Sequence, residues 1–399
     1  MHRRVWRRAV PLVGALTLTH SGALLPTAQA EDIQSRQWYL DAMRADDLWK
    51  VSTGKGVTVA VLDTGVDPEA AEIRGRVLQG KDFYNTAPDA WRDTNGHGTN
   101  MAVSIAGSGA QGGLKGLAPD AKILPVTVIK DKVSIGGGKA AAKGIRYAAD
   151  SDARIINLSM GGRALGTDRA EQEAAVKYAL SKGKLIFAST GNEGAERVEF
   201  PAAIPGVVAV GAVGTTGKVS KFSNTGPQVA LAAPGEEAPI HCTESSGKYC
   251  EGEGTSVATA LASASAALIW SKHPDWTANQ VLRVMMDTAG HNGPVPSKYI
   301  GYGTVRPAQV LLEGKGDPGD PDVNPLLAAR QKESPKPSAS PDTAKKQDSK
   351  DSQSHPQKEK AANEADGNGT LWIVAGVGGA IVVVVGGALA LRARNRQAG

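Results

Sequence analysis

The sequence predicts an α/β fold, a mostly parallel central sheet with helices on both faces. Two observations carry this. Short, almost wholly apolar runs recur along the chain, and small-residue stretches of helical spacing separate them. Strands that are apolar on both faces are buried on both faces, which is the condition of a parallel sheet covered by its crossover helices.

Each element follows in order. VTVAVLD (57–63) is a buried strand, and MAVSIAG (101–107) has helical spacing. KILPVTVI (122–129) is a strand, KAAAKGIRYAAD (139–150) a helix and ARIINLSM (153–160) a strand. EQEAAVKYALSKG (171–183) is a helix stopped at Gly183, and KLIFAST (184–190) is a strand. EGEGTSVATALASASAAL (251–268) opens a helix made almost entirely of Ala, Ser, Val and Leu. In such a sheet, functional groups gather at the carboxyl ends of the strands.

The two ends have other compositions. Residues 1–30 hold Arg3, Arg4, Arg7 and Arg8, an apolar run, and then Ala28-Gln29-Ala30, which is the pattern of a secretory signal peptide. Residues 31–312 are expected to form one large folded domain. Residues 313–370 are rich in Pro, Lys, Asp and Ser, lack aromatic residues, and are expected to stay a disordered linker. Residues 371–391 carry no charge and are long enough to cross a bilayer. Arg392, Arg394 and Arg396 then mark 392–399 as a cytoplasmic tail. The chain is expected to be a single-pass membrane protein whose folded part lies outside the cell.

Net charge is a modest +5, much of it in the two ends, so no nucleic-acid surface is expected. GAVGTTGKVS (211–220) fails as a phosphate loop, because Ala212 stands where a Gly is required and Val219 follows the Lys. Cys242 and Cys250 are the two cysteines of the chain. Outside the cell a disulfide is the natural reading, with two free thiols as the alternative. No cofactor is expected. Neither is a metal site, since loop carboxylates such as Asp89 and Asp93 read as solvated residues.

Four polar residues then stand out. Asp63 ends an apolar strand, and His97 lies between two glycines in NGHGT before a helix. Asn192 follows another strand end in STGNEG, and Ser256 opens the small-residue helix. Taken singly, each has an ordinary structural reading: a turn cap, a loop histidine, a turn asparagine, a helix N-cap. Taken together at one sheet edge they supply an acid, a base, an amide donor and a hydroxyl, the set acyl transfer requires. His97 would take the Ser256 proton, Asp63 would orient the imidazole, and Asn192 would hold the oxyanion with the Ser256 N–H.

The order Asp, His, Ser and the blocks VAVLDTGVD, NGHGTNMAVSIAG, STGNEG and EGTSVATALASASAAL resemble those of the subtilisin-like serine proteases. The resemblance covers about residues 35–312. It implies hydrolysis of polypeptide substrates, and a cleft edge at Leu158, Ser159, Met160, Gly161 and Gly162 that pairs with an extended peptide. Asn100 stands where the family often has a second His, and Ala260 where it often has Pro. QWYLDAMRADDLWKVSTGKG before the first strand, the Pro-rich linker and the terminal apolar run further resemble the mycosins, membrane-anchored subtilases of type VII secretion. That likeness implies a secretion membrane complex as partner, and an N-terminal segment that wraps the domain. The alternative role is that of a structural component of such a complex, with proteolysis secondary.

Overall fold

A computed structural model of the chain describes residues 33–84, 89–130, 138–163, 166–242 and 248–333. The chain divides into a unit spanning Met1–Pro337 and a second spanning Ser338–Gly399, and all described residues belong to the first. The expected signal peptide, membrane span and tail lie outside the described residues. Among the described residues no helix is long and apolar enough to cross a membrane.

Seven strands form one sheet: β1 (Thr58–Asp63), β2 (Lys81–Asp82), β3 (Lys122–Thr127), β4 (Ile155–Leu158), β5 (Leu185–Ser189), β6 (Val208–Val213) and β7 (Val229–Pro234). Their order is β2-β3-β1-β4-β5-β6-β7, and every pairing is parallel. The predicted α/β sheet is therefore present, with strand bounds within a few residues of the apolar runs. The order reverses at β1, which lies between β3 and β4, so β1 ends at the switch point where such sheets open a crevice.

Side-chain alternation along β1 divides the core in two. Val59 and Val61 point into a cluster with Met101 and Ile105 of α3 (His97–Ala106) and Leu261 and Leu268 of α6 (Thr255–Lys272). Ala60 and Leu62 point the other way, toward Ile145 and Ala148 of α4 (Gly138–Asp150) and Ala175 and Val176 of α5 (Gly166–Ser181). Fifteen of the 18 residues of α6 are buried, all round the helix. Small side chains allow that, because a backbone can approach a sheet closely only where no bulky residue intervenes. Its hydroxyls are satisfied inside: Thr259 and Ser265 donate to carbonyls one turn back, and Ser263 donates to Asn157 Oδ1 of β4 at 2.9 Å.

The N-terminal segment, through α1 (Trp38–Ala42) and α2 (Ala45–Leu48), packs onto this body. Gln37 exchanges two hydrogen bonds with the Lys115 backbone, at 2.7 and 2.9 Å, and Trp38 Nε1 donates to Glu236 O at 3.0 Å. The expected wrapping is what the fold contains.

The linker expectation needs correcting at its start. Beyond α7 (Ala278–Asp287) and α8 (Pro307–Leu311), residues 313–333 are ordered and end in α9 (Pro325–Glu333). Leu326 enters the core at 7% exposure. Thr277 Oγ1 and Asn279 Nδ2 both donate to Pro321 O, at 3.0 and 2.9 Å, and Gln280 Nε2 donates to Gly319 O at 3.1 Å. Composition missed this, because one leucine and a few backbone carbonyls suffice to hold a polar segment already tethered at one end. Cutting the chain after residue 312 rather than 333 is expected to cost about 2–3 kcal/mol, from Leu326 and the lost hydrogen bonds. Thermal melts of the two truncations would show it as a fall in Tm of roughly 5 °C.

Candidate active site

The four polar residues singled out in the sequence sit around one crevice at the carboxyl edge of the sheet. Thr64, His97, Ser159, Met160, Gly161, Asn192, Glu199 and Ser256 are among the residues lining it, and its volume is about 400 Å³. Asp63 ends β1 with its side chain fully buried, while the His97 side chain is 14% exposed. His97 Nδ1 lies 2.7 Å from Asp63 Oδ1. That oxygen also accepts the Thr64 N–H at 2.8 Å. A buried carboxylate on Nδ1 assigns the role of base to Nε2.

His97 is the first residue of α3, and its position is fixed by a residue expected to be solvated. Asp93 Oδ1 accepts from Thr64 Oγ1 (2.9 Å), Asn95 N (3.1 Å) and Gly96 N (2.7 Å). Its Oδ2 accepts from Thr99 N (2.8 Å) and Thr99 Oγ1 (2.6 Å). Thr64 Oγ1 in turn accepts the Gly98 N–H at 3.0 Å. The N-cap residue Gly96 has φ 84° and no side chain, so Asp93 and Thr64 cap α3 from outside the helix. The acidic residue close before NGHGT was the visible signal, but a hub of hydrogen bonds cannot be told from a solvated loop by sequence. Asp93→Ala is expected to lower kcat roughly 10- to 100-fold through misplacement of His97. Steady-state kinetics checks this, with Asp93→Asn falling between.

Ser256 is the second residue of α6, and Gly254 is the N-cap. Helix capping therefore does not explain this serine. Its hydroxyl donates to Ser159 O at 3.0 Å, and Ser159 Oγ donates to Ser256 O at 2.9 Å. Asn157 Nδ2 donates to Ser159 Oγ at 2.9 Å, which extends the network to Ser263 inside α6. The start of α6 is thus tied to the end of β4 on both sides. Asn192 Oδ1 accepts both the Thr255 N–H (2.8 Å) and the Thr255 hydroxyl (2.9 Å). A backbone N–H can only donate, so the atom facing it is Oδ1, and Nδ2 is the group turned away from Thr255. The Ser256 N–H is one of the first in α6, which have no acceptor within the helix. Thr255 was not singled out in the sequence analysis, although it stands directly before Ser256.

The cleft edge is narrower than the sequence suggested. Ser159, Met160 and Gly161 line the crevice. Leu158 does not, being fully buried in β4 and paired with Ala188. Gly162 exchanges both backbone hydrogen bonds with Phe200, at 3.1 and 3.0 Å, so its backbone is already used. The opposite rim is a hairpin of β8 (Ala238–His241) and β9 (Tyr249–Gly252), joined by a Cys242–Cys250 disulfide. Asn100 holds it to α3, donating to His241 O at 3.1 Å and accepting from His241 N at 2.8 Å. Glu72 holds it from below through His241 Nε2 (3.0 Å) and Tyr249 OH (2.8 Å). Burial alone would push the Glu72 carboxyl up, but these hydrogen bonds outweigh it and bring it down to about 2. Asn100, which stands where the family often has a second His, is a fastening for the rim. Among the described residues no group of His, Cys, Asp or Glu is arranged to hold a metal.

Residues 54–303 match the subtilase family. The chain belongs to the subtilase family. It is a subtilisin-like serine endopeptidase, and the carboxylate–imidazole pair and the serine at a helix start are the parts such an enzyme needs. The major intracellular serine protease of Bacillus subtilis is 36% identical over 252 residues, covering 61% of this chain and 77% of that protein. Thermitase of Thermoactinomyces vulgaris is 36% identical over 239 residues, 60% of this chain and 83% of its own. Among solved structures, MycP1 from Mycobacterium smegmatis is similar with a TM-score of 0.64 at 28% identity, covering 75% of this chain and 89% of that one. MycP3 protease from the type VII (ESX-3) secretion system gives 0.61 at 30% identity, covering 71% of this chain and 90% of that one.

Proposed function

We propose that this endopeptidase works through Ser256, His97 and Asp63, with Asn192 and the Ser256 N–H as oxyanion donors. The observation that carries the reading is the 2.7 Å contact of His97 Nδ1 with buried Asp63, in a crevice shared with Ser256 and Asn192. In the resting site the Ser256 hydroxyl donates to Ser159 O. A peptide lying along Ser159–Gly161 competes for that carbonyl with its own N–H. The hydroxyl then turns to His97 Nε2. Ser256 Oγ attacks the scissile carbonyl as its proton passes to Nε2. The negative oxygen is held by Asn192 Nδ2 and the Ser256 N–H, near the positive end of α6. The C–N bond breaks as His97 returns the proton to the leaving amine. A water molecule then repeats the sequence on the acyl-enzyme and frees Ser256.

The setting we infer is a cell membrane with the peptidase domain outside. It rests on the signal-peptide pattern at 1–30 and the uncharged run at 371–391. Similarity to MycP1, described as an essential component of the type VII (ESX-1) secretion system, supports association with a secretion complex of that kind. It also favours a second role, as a structural component of the complex. Loss of secretion on deleting 371–399, but not on Ser256→Ala, would single out that role.

The direct test is to treat the full-length chain with a fluorophosphonate and locate the adduct by mass spectrometry. The expected result is one adduct on Ser256, lost in His97→Ala. A folded wild-type chain that stays unlabelled would overturn the proposed site.

A further inference from the structure

The cleft contains a carboxylate that the mechanism does not use. Glu199 lines the same crevice as Ser256. Its backbone N–H donates to Thr190 O at 3.0 Å, which fixes it beside the segment leading to Asn192. Its carboxyl group lies between two glycines. A Cβ added at Gly161 would collide with Glu199 Oε2, and one added at Gly191 would stand 3.0 Å from the Glu199 carboxyl carbon. Gly161 belongs to the cleft edge that would pair with the substrate. Gly191 directly precedes the oxyanion residue. The space between them is therefore where the side chain just before the scissile bond must go, because its own carbonyl is the one placed at Asn192 and Ser256.

We infer that this slot is built for a cationic side chain, so that the peptidase cleaves after lysine or arginine, with Glu199 as the residue that selects it. The inference rests on the proposed catalytic site.

Three further observations point the same way. First, among the described residues no hydrogen bond or ion pair neutralises the Glu199 carboxylate. Arg163 and Arg197 are close enough to act on its charge but lie outside the crevice lining, exposed to solvent. Burial and the nearby Glu193 carboxylate push Glu199 above an ordinary glutamate, and the opposing pull of the two guanidiniums does not offset them, so the site disfavours its own negative charge while empty. A bound cation reverses that penalty. Second, Glu193 reinforces the potential from the adjoining wall. It is held in place by Asn224 Nδ2 at 2.7 Å, and its Oε2 stands 3.0 Å from the position of a Cβ on Gly191. Third, Glu251 and Glu253 on the hairpin rim also line the crevice, while among the described residues no Lys or Arg does. An apolar side chain in the slot would bury a carboxylate without a partner, and an acidic one would face it directly.

The experiment uses the full-length chain and a series of peptidyl-coumarin amides that differ only in the residue before the cleaved bond: Arg, Lys, Leu, Phe and Glu. We expect kcat/KM for Arg or Lys to exceed that for Leu and Phe by at least about tenfold, with Glu the poorest. Glu199→Gln should remove most of that preference, by lowering the Arg value and raising the Leu value. Glu199→Asp should retain part of it. Fluorophosphonate labelling of each variant reports whether Ser256 is still activated, independently of what the slot accepts. Equal or better cleavage after Leu or Phe by a chain that labels at Ser256 would overturn the assignment of Glu199 and leave the catalytic site standing. An unchanged Arg-to-Leu ratio in a labelled Glu199→Gln would overturn it as well. Absence of both labelling and hydrolysis would bring down the catalytic reading and this inference with it.

Discussion

Changing Ser256 to alanine is expected to lower kcat on the order of 10⁶-fold, and changing Asp63 to asparagine about 10⁴-fold, with both proteins still folded. The first figure is the one known for subtilisin, of the same family. Ser256 makes two hydrogen bonds with Ser159, and alanine loses one of them while Ser159 Oγ still reaches the Ser256 carbonyl. The start of α6 therefore stays fixed, and what is lost is chemistry. Asp63→Asn acts differently. An amide can present its oxygen to the Thr64 N–H as the carboxylate does, yet it no longer favours the imidazolium that forms when His97 takes the serine proton. Burst-phase kinetics on an activated ester separates the two. The alanine variant should give no acyl-enzyme, and the asparagine variant should give a slow one. Comparable activity in Asp63→Asn and the parent would mean that the buried carboxylate does not orient the base.

Loss of Asn192 is the second large effect. Asn192→Ala is expected to lower kcat 10²- to 10³-fold with little change in KM, because the amide donor meets charge that appears only in the transition state. Thr255 provides a sharper check. Its hydroxyl and its N–H both bind Asn192 Oδ1, so Thr255→Val keeps one of two restraints on the amide. A fall of about 3- to 10-fold in kcat is expected, on the ground that looser aim weakens but does not remove the donor. In Asn192→Ala the same Thr255 change should have almost no further effect, since the amide it aims is gone. Additive losses in the double variant would show that Thr255 acts elsewhere.

The sequence carried the sheet far because its strands are apolar on both faces. A run such as Thr58–Asp63 has one way to bury itself, between two helical layers, and its single carboxylate then falls at the strand end. The four polar residues were legible because Asp63 and Asn192 stand where an apolar strand stops, and His97 and Ser256 where a helix of small residues starts. Asp93 was not, because a carboxylate in a loop has the same local signature whether it meets water or five donors. Residues 313–333 were misjudged for a related reason: their composition cannot make a core, but Leu326 joins one that already exists.

By itself the sequence determined the α/β class, the order of Asp63, His97 and Ser256, and the presence of unlike segments at both ends. Only the tertiary structure decided which groups meet. It turned the Ser256 hydroxyl toward the Ser159 carbonyl, gave Asn192 its orientation through Thr255, made Asn100 and Glu72 the supports of the hairpin, and set Glu199 between Gly161 and Gly191. Most contacts of this kind join residues tens to nearly two hundred positions apart. Periodicity and local composition report on neighbours along the chain, whereas distance and burial between remote residues exist only once the sheet has closed.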